Sequence, residues 1–246
     1  SEKPKDFTFI SFSGSQEDLN VGAILIGVTC ALDFKIAPTY GIMQSHEFSF
    51  GKRLFPTKMI RSSMPLGLGE IGAPVFDLNG RFVGITYAAL PDLRSSFLLP
   101  ARACSRIRDD LLLSGEIDYG WFGVTTNRKV NLENSFDIVI DDFVVGSPGS
   151  FSKLKKGDIL KRIAGTVING PGDLAHASFF AKPGTFVEFV VEREGNGLII
   201  PVKVGSKPSG DTRGPALKGS NQFPDDGNRS TAPPSLPADL NKSENP

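Results

Sequence analysis

Few side chains in this chain could do covalent or metal chemistry. It has two histidines, His46 and His176, and two cysteines, Cys30 and Cys104. Two thiols alone make no metal site, so neither a metal nor a cofactor is expected. Cys30 lies in an apolar run and Cys104 in an expected helix, which favours buried free thiols over a disulfide. The segment Gly69-Glu70-Ile71-Gly72-Ala73-Pro74 is a glycine-rich turn that leads into Val75-Phe76-Asp77-Leu78-Asn79-Gly80-Arg81. Acyl transfer from such a turn would need a hydroxyl or thiol and a base to activate it. The sec-butyl side chain of Ile71 has no oxygen and no proton to give up, so it cannot attack a carbonyl.

Composition bounds the rest. The chain has 246 residues, 39% of them hydrophobic, with 27 Gly and 18 Pro, as suits a loop-rich β protein. Lys plus Arg and Asp plus Glu number 27 each, so the net charge is zero. Bulk electrostatics therefore point to no nucleic-acid or anionic-membrane partner. The longest apolar stretch, residues 21–34, is shorter than the roughly 20 residues a membrane-spanning helix needs. Gln16-Glu17-Asp18 precede it where a signal peptide would carry basic residues. It is expected to be buried strand, and no targeting segment is legible.

The elements that would position these groups are mostly strands. Residues 6–12 alternate apolar and polar, the period of a half-buried strand. Further strands are expected over residues 21–32, 41–44, 58–60, 74–76, 81–88 and 96–99. Asn79-Gly80 between two apolar runs is a hairpin signal, because both residues tolerate positive φ. Pro100 opens a helix over residues 101–114 and Gly115 ends it. After a hinge at 115–120, strands are expected at 121–124, 136–140, 159–163, 185–191 and 198–204, with one helix at 171–181. Residues 206–246 are rich in Pro, Ser, Gly, Asn and Asp and are expected to form a disordered tail.

Three of these segments, in order, resemble the HtrA-type family of trypsin-like serine proteases. Gly69-Glu70-Ile71-Gly72-Ala73-Pro74 with its hairpin resembles the family's Gly-Asn-Ser-Gly-Gly-Pro nucleophile loop. Ser96-Phe97-Leu98-Leu99-Pro100 and the following helix are similar to the segment that closes the second barrel. The stretch from Gly115-Glu116 through Tyr119-Gly120-Trp121-Phe122-Gly123-Val124 resembles the linker into an HtrA-type PDZ domain. Val145-Gly146-Ser147-Pro148, Leu154-Lys155-Lys156-Gly157-Asp158-Ile159-Leu160 and Lys182-Pro183-Gly184-Thr185 continue the likeness.

The resemblance implies a mainly β fold: the second trypsin-like β-barrel plus the last strand of the first in residues 1–114, a PDZ domain in 115–205, and the tail in 206–246. Asp6 takes the position of the triad aspartate and Ile71 that of the nucleophile. Gly69 takes an oxyanion-hole position, its N–H acting with that of Ile71. Glu70 stands for an Asn and Ala73 for a Gly, which unsettles the loop's tight geometry. Neither His46 nor His176 matches the triad histidine, so the chain reads as a protease homologue without activity.

Its expected work is peptide binding. Trp121-Phe122-Gly123-Val124 is similar to the family's carboxylate-binding loop, where Gly123 lets the backbone approach a C-terminal carboxylate. Phe122 and Val124 would line an apolar pocket, with Ala175, Ser178 and Phe179 as its opposite wall. The implied partners are peptides or protein C-termini, and active HtrA-type subunits within a homo- or hetero-oligomer. Family habit suggests a bacterial envelope or an organelle. Two alternatives stay open. One is a fragment of a working serine endopeptidase whose first barrel lies upstream, or one using Ser62 or Ser63. The other is an interaction protein whose PDZ groove is closed.

Overall fold

The computed structural model describes residues 19–32, 34–47, 55–67, 69–131 and 135–206. Asp6, the strand expected at 6–12 and the tail beyond Ser206 lie outside them.

The first half of the described chain folds into six antiparallel strands: β1 (Ile24–Thr29), β2 (Ala37–Glu47), β3 (Met59–Ser62), β4 (Pro74–Asp77), β5 (Phe82–Leu90) and β6 (Ser95–Pro100). They close into a barrel in the order β1-β2-β3-β6-β5-β4. Closure leaves no unpaired edge. The alternation of β1 puts Leu25 inside, where it meets Met43, Ile60, Met64, Val75 and Leu98. The hairpin between β4 and β5 turns on Asp77, whose Oδ1 accepts the N–H groups of Asn79 and Arg81 at 2.9 Å each.

β2 is longer than the expected 41–44, because exposed Tyr40 and Ile42 obscure its alternation. The run 21–32 supplies only β1, because Gly22 turns at φ +89° before it. Cys30 is exposed, contrary to expectation, and its thiol donates to the Phe34 carbonyl at 3.0 Å. Cys104 is buried, and burial pushes its thiol up to about 11.

Helix α1 (Ala101–Ser114) follows with Pro100 as its N-cap residue and ends at Gly115, which adopts φ +77°. Ala101, Ala103 and Cys104 bury its inner face.

The second half contains β7 (Gly120–Trp121), β8 (Val124–Val130), β9 (Phe136–Phe143), β10 (Ile159–Ile163), β11 (Thr166–Val167), α2 (Pro171–Phe180), β12 (Phe186–Arg193), β13 (Asn196–Lys203) and β14 (Gly205–Ser206). Its main sheet runs β13-β12-β10-β9-β8, with β11 beside β10 and β14 paired to β7. Phe122, Ile138, Ile140, Leu160, Phe189 and Val191 form its core. Asp158 is 1% exposed and receives two hydrogen bonds from Arg193, at 2.6 and 2.7 Å. Burial pushes this carboxyl up, but the Arg193 guanidinium and the Lys155 N–H outweigh burial and hold it below its usual range.

The strand at 125–130 escaped sequence reading because Thr125-Thr126-Asn127-Arg128-Lys129 shows no apolar period. Its partner supplies the apolar residues instead: Thr126 lies opposite Ile140 and Arg128 opposite Ile138. Among the described residues, no helix is long and apolar enough to cross a membrane.

Candidate functional site

The turn at residues 69–74 is built on Thr86 of β5. The Thr86 hydroxyl donates to the Glu70 carbonyl at 2.6 Å and accepts the Ala73 N–H at 2.9 Å. The Thr86 carbonyl accepts the Gly72 N–H at 2.8 Å, and its N–H donates to the Ala73 carbonyl at 2.9 Å. Gly69 (φ +83°) and Gly72 (φ +90°) absorb the left-handed backbone on either side of Ile71. The Glu70 carboxylate accepts the Gly67 N–H. The Thr29 hydroxyl, followed by that N–H, holds this carboxyl below its usual range. The turn is therefore tight despite Glu70 and Ala73, with Ile71 52% exposed at its apex.

A cavity of about 480 Å³ lies beside the turn, between residues 63–67, Glu70, and the chain around Ala89, Pro91 and Arg94. The other hydroxyls of the region are engaged. Ser62 is fully buried, with its Oγ 2.9 Å from that of Ser96. The Ser63 hydroxyl accepts the Ile42 N–H at 3.0 Å. His46 sits in β2 opposite Ile60, its pKa lowered by burial and then by Lys58.

The second locus joins β7 to β8 through Phe122 and Gly123. Gly123 adopts φ +65°, and a Cβ there would stand 2.1 Å from the Ser147 Cβ. The Gly123 carbonyl accepts the Val144 N–H at 2.8 Å and the Ser147 hydroxyl at 3.1 Å, while the Phe122 carbonyl accepts the Gly149 N–H at 2.8 Å. Among the described residues, the N–H groups of Phe122 and Gly123 make no hydrogen bond. β8 pairs with β9 on one edge, and among the described residues its other edge is open. The side chains of Phe122 (2% exposed) and Val124 (9%) belong to the core, and the Phe122 ring meets Phe189 edge to face at 5.0 Å. Trp121 is half-buried.

Helix α2 flanks this loop. Its C-terminal end abuts Gly120, where a Cβ would stand 2.5 Å from the Ala181 carbonyl oxygen and 2.8 Å from that of Ser178. Ala175 is buried and Ser178 half-buried. Phe179 is placed elsewhere than the expected pocket wall. It is fully buried among Met59, Phe82, Phe97, Leu99 and Ala103, residues of the barrel and α1. The Tyr119 ring lies tilted against it with centroids 5.7 Å apart, and Phe180 meets it edge to face at 4.8 Å. The apolar outer surface of the barrel claims this ring because burial there removes more of it from water than a groove wall would.

Polar contacts join the same surfaces. Nδ1 of His176 accepts the Lys58 N–H at 3.3 Å and lies 2.9 Å from the Thr57 hydroxyl. Lys58 pairs with buried Asp173 at 3.1 Å. Burial first, then Lys58 and Arg102, lower the His176 pKa to about 4. Sequence reading gave His176 no role beyond its mismatch with a triad histidine. It also missed Thr86 and Ser147, since a hydroxyl that braces a turn from a distant strand leaves no local pattern.

No family model matches the chain. It is 25% identical over 234 residues to a probable periplasmic serine endoprotease DegP-like of Rhizobium meliloti (strain 1021), covering 91% of this chain and 46% of that protein. It is 26% identical over 210 residues to the protein of the same description from Pseudomonas fulva (strain 12-X), covering 80% and 43%. The chain thus spans less than half the length of these relatives. Among solved structures, the HtrA-type protease AlgW with tripeptide superposes with a TM-score of 0.61 at 18% identity, covering 81% of this chain and 70% of that one. The serine endoprotease from Yersinia pestis gives 0.51 at 14% identity, covering 81% and 66%. At these identities the structural likeness shows the fold alone.

Proposed function

We propose that this chain, a relative of the HtrA-type trypsin-like serine proteases, binds peptides through a PDZ-like second domain and does not cleave them. The observation that carries this reading is the pair of unbonded N–H groups at Phe122 and Gly123, beside the open edge of β8. Buried N–H groups are almost always paired, so two adjacent exceptions point to a missing acceptor. A peptide that adds a strand to β8 would bring its terminal carboxylate to that pair. Ala175 and Ser178 of α2, with Phe122 and Val124, would then surround an apolar last side chain.

Ile71 supports the loss of cleavage. Tight backbone at residues 69–74 could still stabilise an oxyanion, yet no tetrahedral intermediate forms without a nucleophile. The role that follows is an adaptor or regulatory subunit that holds protein C-termini or unfolded chains, alone or within an oligomer.

A second reading, a scaffold with a closed groove, is favoured by the burial of Phe122 and Val124. One experiment separates the two. Peptides ending in a free apolar residue are titrated against the same peptides with an amidated end. Peptide binding predicts at least a tenfold preference for the free carboxylate, the scale of a charge-assisted hydrogen-bond pair at about 1.4 kcal/mol per decade. Equal affinities, or no binding by either, favour the closed scaffold.

A further inference from the structure

We propose that Arg128 forms a subsite for an acidic side chain on the fifth residue from the C-terminus of a bound peptide. The proposal rests on the reading of β8 as a peptide-binding edge and adds a selectivity to it.

The register of the sheet decides which way Arg128 points. Residues directly opposite in an antiparallel pair share a face. Arg128 faces Ile138, and Thr126 faces Ile140, and both isoleucines are buried in the core. Arg128 therefore lies on the core side of the sheet, the side that carries α2, along with Val124 and Thr126. A terminal nitrogen of Arg128 is 3.8 Å from the point where a side chain would begin at Gly170, just before α2. Its guanidinium thus hangs over the gap between the β8 edge and the start of the helix.

Its charge is uncommitted. Among the described residues Arg128 makes no ion pair or hydrogen bond, and its guanidinium carbon lies 6.0 Å from the centre of the Phe136 ring. The nearby carboxylate that could neutralise it is Asp173, which is already engaged. Asp173 Oδ2 accepts the N–H groups of Asn169 and Gly170 at 2.8 Å each, and its Oδ1 pairs with Lys58.

The peptide's register follows from the carboxylate. A chain whose end sits on the N–H groups of Phe122 and Gly123 and runs antiparallel to β8 sets its last residue beside Val124. The third residue from the end then lies beside Thr126 and the fifth beside Arg128. The extra residue of the β8–β9 irregularity lies on β9, where Asp142 and Ile140 pair with consecutive Thr125 and Thr126, so β8 itself keeps an unbroken two-residue period. All three of these peptide side chains turn toward α2, and an aspartate or glutamate at the fifth meets the guanidinium in a geometry suited to paired hydrogen bonds.

The test uses the whole chain and fluorescein-labelled Gly/Ser peptides ending in a free Phe, with Glu, Gln or Lys as the fifth residue from the end. Fluorescence anisotropy should rank them Glu, Gln, Lys, with roughly fivefold between Glu and Lys at low salt and less at high salt. The variant Arg128→Glu should reverse the order while the Gln peptide binds within about twofold of the unaltered chain. If the Gln peptide binds and the Glu and Lys peptides match it, the acidic subsite is overturned and the peptide-binding edge stands. If no free-carboxylate peptide binds, both fall.

Discussion

His176 of α2 and Thr57 of the barrel meet across the two halves of the molecule, with Nδ1 2.9 Å from the Thr57 hydroxyl. The Lys58 N–H also donates to Nδ1, at 3.3 Å, so this nitrogen must be the unprotonated one. Protonating it would cost an acceptor and place a cation near Lys58 and Arg102. Burial and these cations lower the pKa to about 4, against an ordinary value of 6.5. The unfolded chain thus binds the proton more readily than the folded one. The stabilisation is present in full above pH 6.5 and is lost as pH falls from there through about 4. Its size is roughly 3–4 kcal/mol at most, at about 1.36 kcal/mol per unit. NMR titration of a His46→Gln variant, which leaves one imidazole, should show a midpoint well below 6. A midpoint at 6.5 would contradict the contact.

Ile71→Ser should not restore proteolysis to this chain. It supplies a hydroxyl at the apex of a well-formed turn, and among the described residues neither histidine is placed to activate it. His176 is held on Thr57 and Lys58, and His46 lies in β2 opposite Ile60. Neither fluorescent-casein turnover nor labelling by a fluorophosphonate probe is expected from the variant. Labelling that depends on the new serine would show a base in place.

Gly123→Ala should destabilise the fold and abolish peptide capture together. The new Cβ would overlap Ser147, and alanine at φ +65° adds about 1–2 kcal/mol of backbone strain. Combining it with Ser147→Gly removes the overlap, leaves the strain and gives up the hydroxyl bond to the Gly123 carbonyl. Urea titration should therefore show partial recovery in the double variant. Full recovery would mean that the positive φ is not required.

Phe179→Ala should lower stability by about 3–5 kcal/mol, the usual cost of emptying a buried aromatic site. The ring is fully buried among barrel residues, so the effect belongs to the packing of α2 on the barrel. A groove wall would instead lose peptide affinity with little change in melting temperature.

Elements whose signals are local were legible in the residues alone. Asn79-Gly80 marked the hairpin, although of the two only Gly80 adopts positive φ, at +73°. Pro100 and Gly115 bracketed α1 to the residue. The order of the motifs pointed to the HtrA-type likeness, and Ile71 needed no structure to be recognised as unable to attack a carbonyl.

Where side chains find their partners emerges only in the folded chain. β8 was invisible in its own residues because its apolar complement, Ile138 and Ile140, lies on β9. Thr86 and Ser147 hold turns that are distant in sequence, and nothing near them announces it. Phe179 read as a groove wall, and the barrel surface beside it makes it core instead. His176, one of two histidines, drew its lowered pKa from burial first and then from Lys58 and Arg102, more than seventy residues away in sequence. Hydrogen bonds and burial act through space, so a linear pattern records them only when both partners are neighbours along the chain.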